Sequence, residues 1–370
     1  MILLIVFGFI ALAFFMGQRY LYSRFWTRGL TASVAFADRE LTRGQSSEVI
    51  EIVENKKWLP LAMVKVKFQA PRELSFTSGK GSSVTDQYYR NDIFHLKAME
   101  RITRRVQFYP KKRGMYEIGS MDLVGADLFL IDQFVTQLPV STSLLVYPEE
   151  LECTDLARAL QTSIGTALTN SPLIEDVFSF RGIREYQPGD PMKTINWCAS
   201  AKTEEDLLVN VREYVSRRPV RFYLNLTDAH IRHREDEAEV LISAIAYLGR
   251  LFFEQGIHVS LRTNAVNSLT GGPAFASTEE GDYSDFLTVL AGIDPARTLP
   301  FEHHFNESVF PEEDASLLCF FSLFPDPEML ELVEKGLNMG AAVALILPSR
   351  KEDAEAVGGE LMQYTYYVEE

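Results

Sequence analysis

The residues with most chemistry to offer lie between Arg181 and Asp236. His230 and His233 stand three apart with Asp228 and Asp236 nearby. On one helical turn such a set could hold zinc, whose usual ligands are imidazole nitrogen and carboxylate oxygen; the plainer reading is a polar helix-cap region. Asp190 could serve as an acid, yet Pro191 follows it. Asp before Pro starts helices: the carboxylate accepts from free first-turn amides, and Pro gives up only an unused donor. Arg181, Arg184 and Lys193 could line a surface for an acidic partner, or pair with Glu185 and Asp190 at home. The adjacent His303 and His304 would point to opposite faces of a strand, so they read as a solvated loop rather than a metal pair. A Walker-type phosphate loop, a Gly-x-Ser-x-Gly elbow and a His-Glu-x-x-His helix are all missing from the sequence. It therefore carries no motif for ATP hydrolysis or for those hydrolytic chemistries.

The elements that position these residues are compressed into 181–213. Pro188 and Gly189 make a turn, Pro fixing φ and Gly accepting positive φ. A helix is expected from Pro191, with Ile195 one turn on and facing inward. Trp197 reads as a core residue. Leu207, Val209 and Val211 then alternate with Leu208, Asn210 and Arg212, the period of a strand.

This stretch closely resembles the signature of the bacterial family called domain of unknown function 58. The matching residues are Arg184, Tyr186, Gly189, Asp190, Lys193, Ile195, Trp197, Ser200, Ala201 and Lys202, with Arg181 just ahead. Cys198 stands where a basic residue is common, and Lys202 where Arg is usual. Arg113 to Gly119 and the later Ala-Asp-Leu-Phe-Leu-Ile also resemble the family, with Leu128 in place of a common Pro. The signature is read as a hydrogen-bond network joining a β region to an α/β domain, with partner binding as the alternative.

The chain is acidic, with a net charge of −15, which argues against a general nucleic-acid binder. Hydrophobic content of 46% and charged content of 24% belong to a folded chain. Cys153, Cys198 and Cys319 are too widely spaced for a metal pair and odd in number, which fits buried thiols in a reducing compartment. Residues 1–17 are almost wholly apolar, near the lower limit of about 17 residues for a membrane span. Tyr20, Tyr22 and Trp26 follow as an expected interfacial belt. Arg19, Arg24 and Arg28 then place the bulk of the chain in the cytoplasm. A cleaved signal peptide is the rival reading, without a basic n-region to support it. The expected divisions are an anchor at 1–29, a β-sandwich at 30–148, a connector with the signature at 149–217, and an α/β domain at 218–370.

The β region shows Val64, Val66 and Phe68 alternating with polar residues. Ile102, Val106 and Phe108 do the same, with Arg104 breaking the apolar face. Short strands between polar turns suggest a sandwich of immunoglobulin-like type. Leu156, Leu160 and Ile164 make a helical stripe in the connector. From 218 onward, strands around Val220, Ile257, Leu317 and Ala342 alternate with helices near Glu235, Phe286 and Pro327. Such alternation implies a mostly parallel sheet with helices on both faces.

The last part resembles a von Willebrand factor type A domain, as the resemblance to that family also implies. In that fold a divalent cation sits above the strand ends. Here the matching positions are Asn225, Thr227, Asp228 and Ser322, with Ala229 lacking an oxygen. Magnesium prefers at least one carboxylate, so the site reads as degenerate and no cofactor is expected. The resemblance further implies a MoxR-type AAA+ ATPase as partner. The expectation is a membrane-anchored, non-enzymatic adaptor. The alternatives are a metal-dependent adhesion module and a cell-envelope hydrolase.

Overall fold

The computed structural model describes residues 2–77, 82–84, 87–170, 175–187, 192, 195–201, 207–214, 219–227, 235–278, 281–299, 317–324, 327–338, 342–349 and 362–367. The chain divides into two compact units. The first comprises Met1–Glu150 with Asn267–Gly272 and Leu287–Asp294, and the second comprises the remainder.

The first unit opens with α1 (Ile2–Phe25). Ten strands follow: β1 (Leu30–Phe36), β2 (Glu40–Thr42), β3 (Ser47–Asn55), β4 (Leu61–Pro71), β5 (Leu74–Phe76), β6 (Ser82–Val84), β7 (Gln87–Leu96), β8 (Glu100–Pro110), β9 (Gly114–Ala126) and β10 (Gln133–Tyr147). They form two sheets, ordered β1-β3-β8-β5 and β2-β10-β9-β4-β7-β6. All pairings are antiparallel except the short β2 with β10. β3, β4 and β8 bury alternate residues, as a period of two requires. Val64, Val66 and Phe68 of β4 and Val106 and Phe108 of β8 meet in one shared core, so the two sheets are a sandwich. Along β9 the buried positions change phase, from Tyr116 and Ile118 to Met121 and Leu123. Its pairing with β10 slips between Pro139 and Thr142. β10 spends one residue more than β9 at this slip, and the apolar residues of β9 stay inward on both sides of it.

The end of α1 belongs to this core. Gln18, Tyr22 and Trp26 lie four apart on one face and are all buried, whereas residues 3–14 are exposed. Tyr22 and Trp26 therefore do not form the expected interfacial belt, and of the three aromatics only Tyr20 faces outward. The Tyr22 hydroxyl donates to the Pro60 carbonyl at 2.8 Å. Trp26 stacks on Phe134 with centroids 6.1 Å apart. It also lies so close to Gly125 that a Cβ at that position would come within 2.3 Å of the indole ring. Only glycine leaves the slot open.

The second unit contains α2 (Thr154–Asn170), β11 (Glu175–Glu185), α3 (Trp197–Ser200), β12 (Leu208–Tyr214), β13 (Val220–Asn225), α4 (Glu235–Glu254), β14 (Val259–Asn267) and β15 (Pro273–Ser277). Then come α5 (Tyr283–Gly292) and β16 (Ile293–Thr298), of which Leu287–Asp294 count with the first unit, followed by β17 (Leu317–Ser322), α6 (Pro327–Asn338), β18 (Ala342–Ser349) and β19 (Met362–Tyr367). β11 and β12 pair as a separate antiparallel ribbon. The main sheet runs β15-β14-β13-β17-β18-β19, with β16 also on β14. From β14 to β19 neighbouring strands are parallel, and β15 at the edge is antiparallel.

Helices cover both faces of this sheet. On one, Tyr223, Leu318, Phe320, Val343 and Leu345 pack with Met329 and Val333 of α6. On the other, Phe222 meets Phe252 of α4 at 6.3 Å and Phe321 edge-on at 5.6 Å. Successive residues of β13 thus feed opposite layers, so every residue of the strand but Arg221 is buried. Three acidic residues open α4, where carboxylates complement the positive end of the helix. It ends at Gly256, with φ +74. Gly256 N–H bonds the Phe253 carbonyl and Ile257 N–H the Phe252 carbonyl, a Schellman closure. Ile293 follows α5 directly and starts β16, which carries Pro295.

Candidate functional site

Two places hold the residues singled out in the sequence, and both lie in the second unit. The first is the rim where β13 and β17 end side by side. The order of strands reverses here, β14 lying on one side of β13 and β17 to β19 on the other. In open α/β sheets a crevice for ligands forms at such a point.

At this rim Asn225 and Ser322 are adjacent across the ladder, and both are buried. The Asn225 carboxamide oxygen accepts from Thr227 N–H at 3.0 Å and from the Asn264 amide at 3.0 Å. Asn264 also donates to the Thr227 hydroxyl at 2.8 Å, and its own oxygen accepts from Leu226 N–H at 2.9 Å. The Ser322 hydroxyl donates to the Phe324 carbonyl. Every described oxygen of the expected cation set is therefore neutral and already engaged by the protein. Asn225, Thr227 and Ser322 do not fit a hard divalent ion, which asks for charged oxygen. Asp228 lies outside the described residues, as do His230, His233, His303 and His304. Among the described residues no group of three His, Cys, Asp or Glu side chains could hold a metal ion.

Asn264 organises this rim and was not singled out in the sequence. Its signal is a polar pair, Thr263-Asn264, between the buried Leu261 and Ala265 of β14; both side chains are buried too. Asn264→Ala should cost about 1–3 kcal/mol, because it strips the buried Leu226 amide of its acceptor and the oxygens of Asn225 and Thr227 of a donor. Urea unfolding of the full chain measures it, and an unchanged midpoint would mean the network contributes nothing.

The second place is the link between β11 and β12, which carries the family-like signature. Gly189, Asp190, Lys193 and Lys202 lie outside the described residues, as does the side chain of Arg181. The helix expected from Pro191 does not run through Ile195. That residue bridges Val209 across an antiparallel pair, and both are buried. The described helix is the single turn α3, capped by Asn196, whose side chain accepts from Ala199 N–H at 3.0 Å. Ser200 ties this turn to the ribbon: its hydroxyl donates to the Asn196 carbonyl and accepts from Leu208 N–H, each at 2.8 Å. Ala201 closes the turn on the Trp197 carbonyl, and Tyr186 N–H bonds the Leu207 carbonyl. Arg184 is exposed and reaches the carbonyl of Glu185.

Trp197, expected in the core, is 61% exposed. The inward place is taken by Ile195, and Trp197 opens the helical turn on the outside. The described part of the signature is thus a rigid bracket of backbone bonds displaying an indole and a guanidinium. Cys153 and Cys319 are buried. Burial also pushes the Cys319 thiol up, away from the reactive thiolate form.

No protein-family model matches the chain, and no curated protein matches it. Solved structures resemble about a third of it. The PapD-like domain of human CEP192 is 14% identical, covering 32% of this chain and 86% of that domain with a TM-score of 0.21. A cohesin module from a Clostridium perfringens family 33 glycoside hydrolase is 12% identical over 31% and 96%, with a TM-score of 0.21. A non-cellulosomal cohesin from Archaeoglobus fulgidus is 9% identical over 35% and 97%, again at 0.21. The sandwich assignment rests on the strand pairing and shared core described above, not on these low scores.

Proposed function

We propose that the chain is a membrane-anchored, non-enzymatic adaptor of the domain of unknown function 58 type. Its second unit would be a von Willebrand factor A-like domain, and its partner a MoxR-type AAA+ ATPase. The observation that carries this reading is the strand order of the main sheet. An antiparallel edge strand beside five parallel ones, with the first strand central, is the layout expected of that domain. The rim at Asn225, Thr227 and Ser322 is read as cation-free, since its oxygens serve one another. The exposed Trp197 and Arg184 are read as the contact for the ATPase.

The anchor is α1, whose Leu3–Phe25 stretch has a mean hydropathy of 1.7. A signal sequence would pass the same test of length and composition. A retained anchor is favoured because the helix runs unbroken into the sandwich core at Tyr22 and Trp26. Arg24 and Arg28 after the apolar run favour a cytoplasmic side for the rest of the chain.

Crosslinked affinity capture from membranes tests the partner. The full chain should enrich an AAA+ ATPase, and Trp197→Ala with Arg184→Ala should lose it while the chain stays folded. No ATPase with the intact chain would end the adaptor reading. Calorimetric titration with magnesium tests the rim. Binding that disappears in Asn225→Ala and Thr227→Ala would favour a metal-dependent adhesion module instead.

A further inference from the structure

The loop between β9 and β10 exposes four consecutive apolar side chains. Leu128 is 43% exposed, Phe129 49%, Leu130 52% and Ile131 62%. Solvent-facing loops are usually polar, and a contiguous apolar tip marks a surface meant to be covered. The tip lies against α1: the rings of Phe129 and Phe15 are 5.9 Å apart. Phe15 belongs to the apolar part of the helix, one turn before its polar attachment to the sandwich. Whatever surrounds Phe15 therefore surrounds Phe129.

The backbone of the tip is prepared for a dry environment. Asp127, buried at its base, accepts from the amides of Ile131 at 2.7 Å and Asp132 at 3.2 Å. Leu128 N–H donates to the Gln18 side chain, and Leu130 N–H to the Asp127 carbonyl. The two flanking carboxylates are matched by α1, Asp127 by the Gln18 amide at 3.0 Å and Asp132 by Arg19. Lipid-exposed irregular backbone is excluded from hydrocarbon because its amides lie bare; here four of them are bonded. Beside the tip, Leu12, Phe15, Met16 and Phe134 wall a groove of about 720 Å3, with Arg19 at its polar edge.

We infer that the β9–β10 loop is a second membrane element, which enters the same leaflet as the end of α1 and is covered there by lipid acyl chains. The inference rests on α1 being a retained span, so the test reads the two separately. The full chain, carrying either Phe129→Trp or Phe7→Trp, is reconstituted in phosphatidylcholine bilayers with or without brominated acyl chains. The wild-type emission of Trp26, Trp58 and Trp197 is subtracted. Both added indoles should lose emission in brominated lipid and resist aqueous iodide. Quenching of the Trp at 7 by bromine, with the Trp at 129 quenched only by iodide, would leave the anchor standing and overturn the loop. Protection of the Trp at 129 from both quenchers would assign the tip to a second copy or another protein, and also overturn it. Failure of bromine at both positions would remove the anchor itself.

Discussion

Arg90→Met should destabilise the sandwich by roughly 3–5 kcal/mol, the cost of leaving buried charge without its partner. Arg90 is 4% exposed and bridges two carboxylates in the core between the sheets. Its Nε lies 2.5 Å from Asp92 on the same strand and 3.5 Å from Glu51, which reaches in from β3 of the facing sheet. The guanidinium also lies over the Phe76 ring, 5.3 Å from its centroid, so its apolar faces are covered as well. Arg104 is the natural comparison. It bonds Asp92 at 2.7 Å but stays partly open to water, so Arg104→Met should cost distinctly less. Urea unfolding of the full chain in detergent gives both values. A loss below about 1 kcal/mol for Arg90→Met, the size of an exposed pair, would mean that water screens this cluster.

Between pH 5 and 8 the same sandwich should lose stability, and Glu51→Gln should abolish the loss. Glu51 is fully buried, and its carboxyl is pushed up from 4.5 to about 8. Burial is the main cause, followed by the hydrogen bond to Asp92 and repulsion from its charge; Arg90 and Arg104 pull the other way. A neutral Glu51 supplies the proton that Asp92 accepts. For Asp92, burial pushes upward, but the hydrogen bonds from Glu51 and Arg90 and the two guanidinium charges outweigh it and hold the carboxyl low. The signs follow from linkage. Glu51 keeps its proton when folded and loses it when unfolded, so its contribution is complete below about pH 4.5. It then drains away, by at most about 1.4 kcal/mol per pH unit, until the folded carboxyl also ionises near 8. Asp92 works in the opposite sense, its contribution present above its ordinary 3.8 and lost as pH falls below it. Gln at position 51 keeps a donor for Asp92 and cannot ionise. A flat wild-type profile from pH 5 to 8 would refute this account.

Periodicity made much of the architecture legible. Leu156, Leu160 and Ile164 announce α2, and the alternations at Val64 and Val220 announce β4 and β13. The long apolar face of α4 and its Gly256 end are readable for the same reason, since local pattern and tertiary burial agree there. What stayed hidden depends on contacts distant in sequence. Tyr22 and Trp26 look like interfacial anchors because they follow an apolar run; only the slot over Gly125, a hundred residues on, turns them inward. Their spacing of four from Gln18 was the available clue. β16 carries a proline and β15 is a short edge strand, so neither announces itself. β11 gives its register to β12 through two irregularities, which blurs its alternation.

The rim at Asn225 was legible as a position but not as a network. Nothing near Asn225 in sequence says that Asn264 will sit beside it. The adjacency arises because β13 and β14 are parallel neighbours separated by the whole of α4. Trp197 was misread for a comparable reason: a large aromatic is usually buried, and only the bridge from Ile195 to Val209 shows the inward place already filled.

The way α1 ends also decides where a shortened chain can begin. A version starting at Leu30 would delete two aromatic rings from the core and leave an open furrow along Gly125, inviting aggregation. One starting at Gln18 would shed the greasy segment yet keep the plug, and it is the version to crystallise.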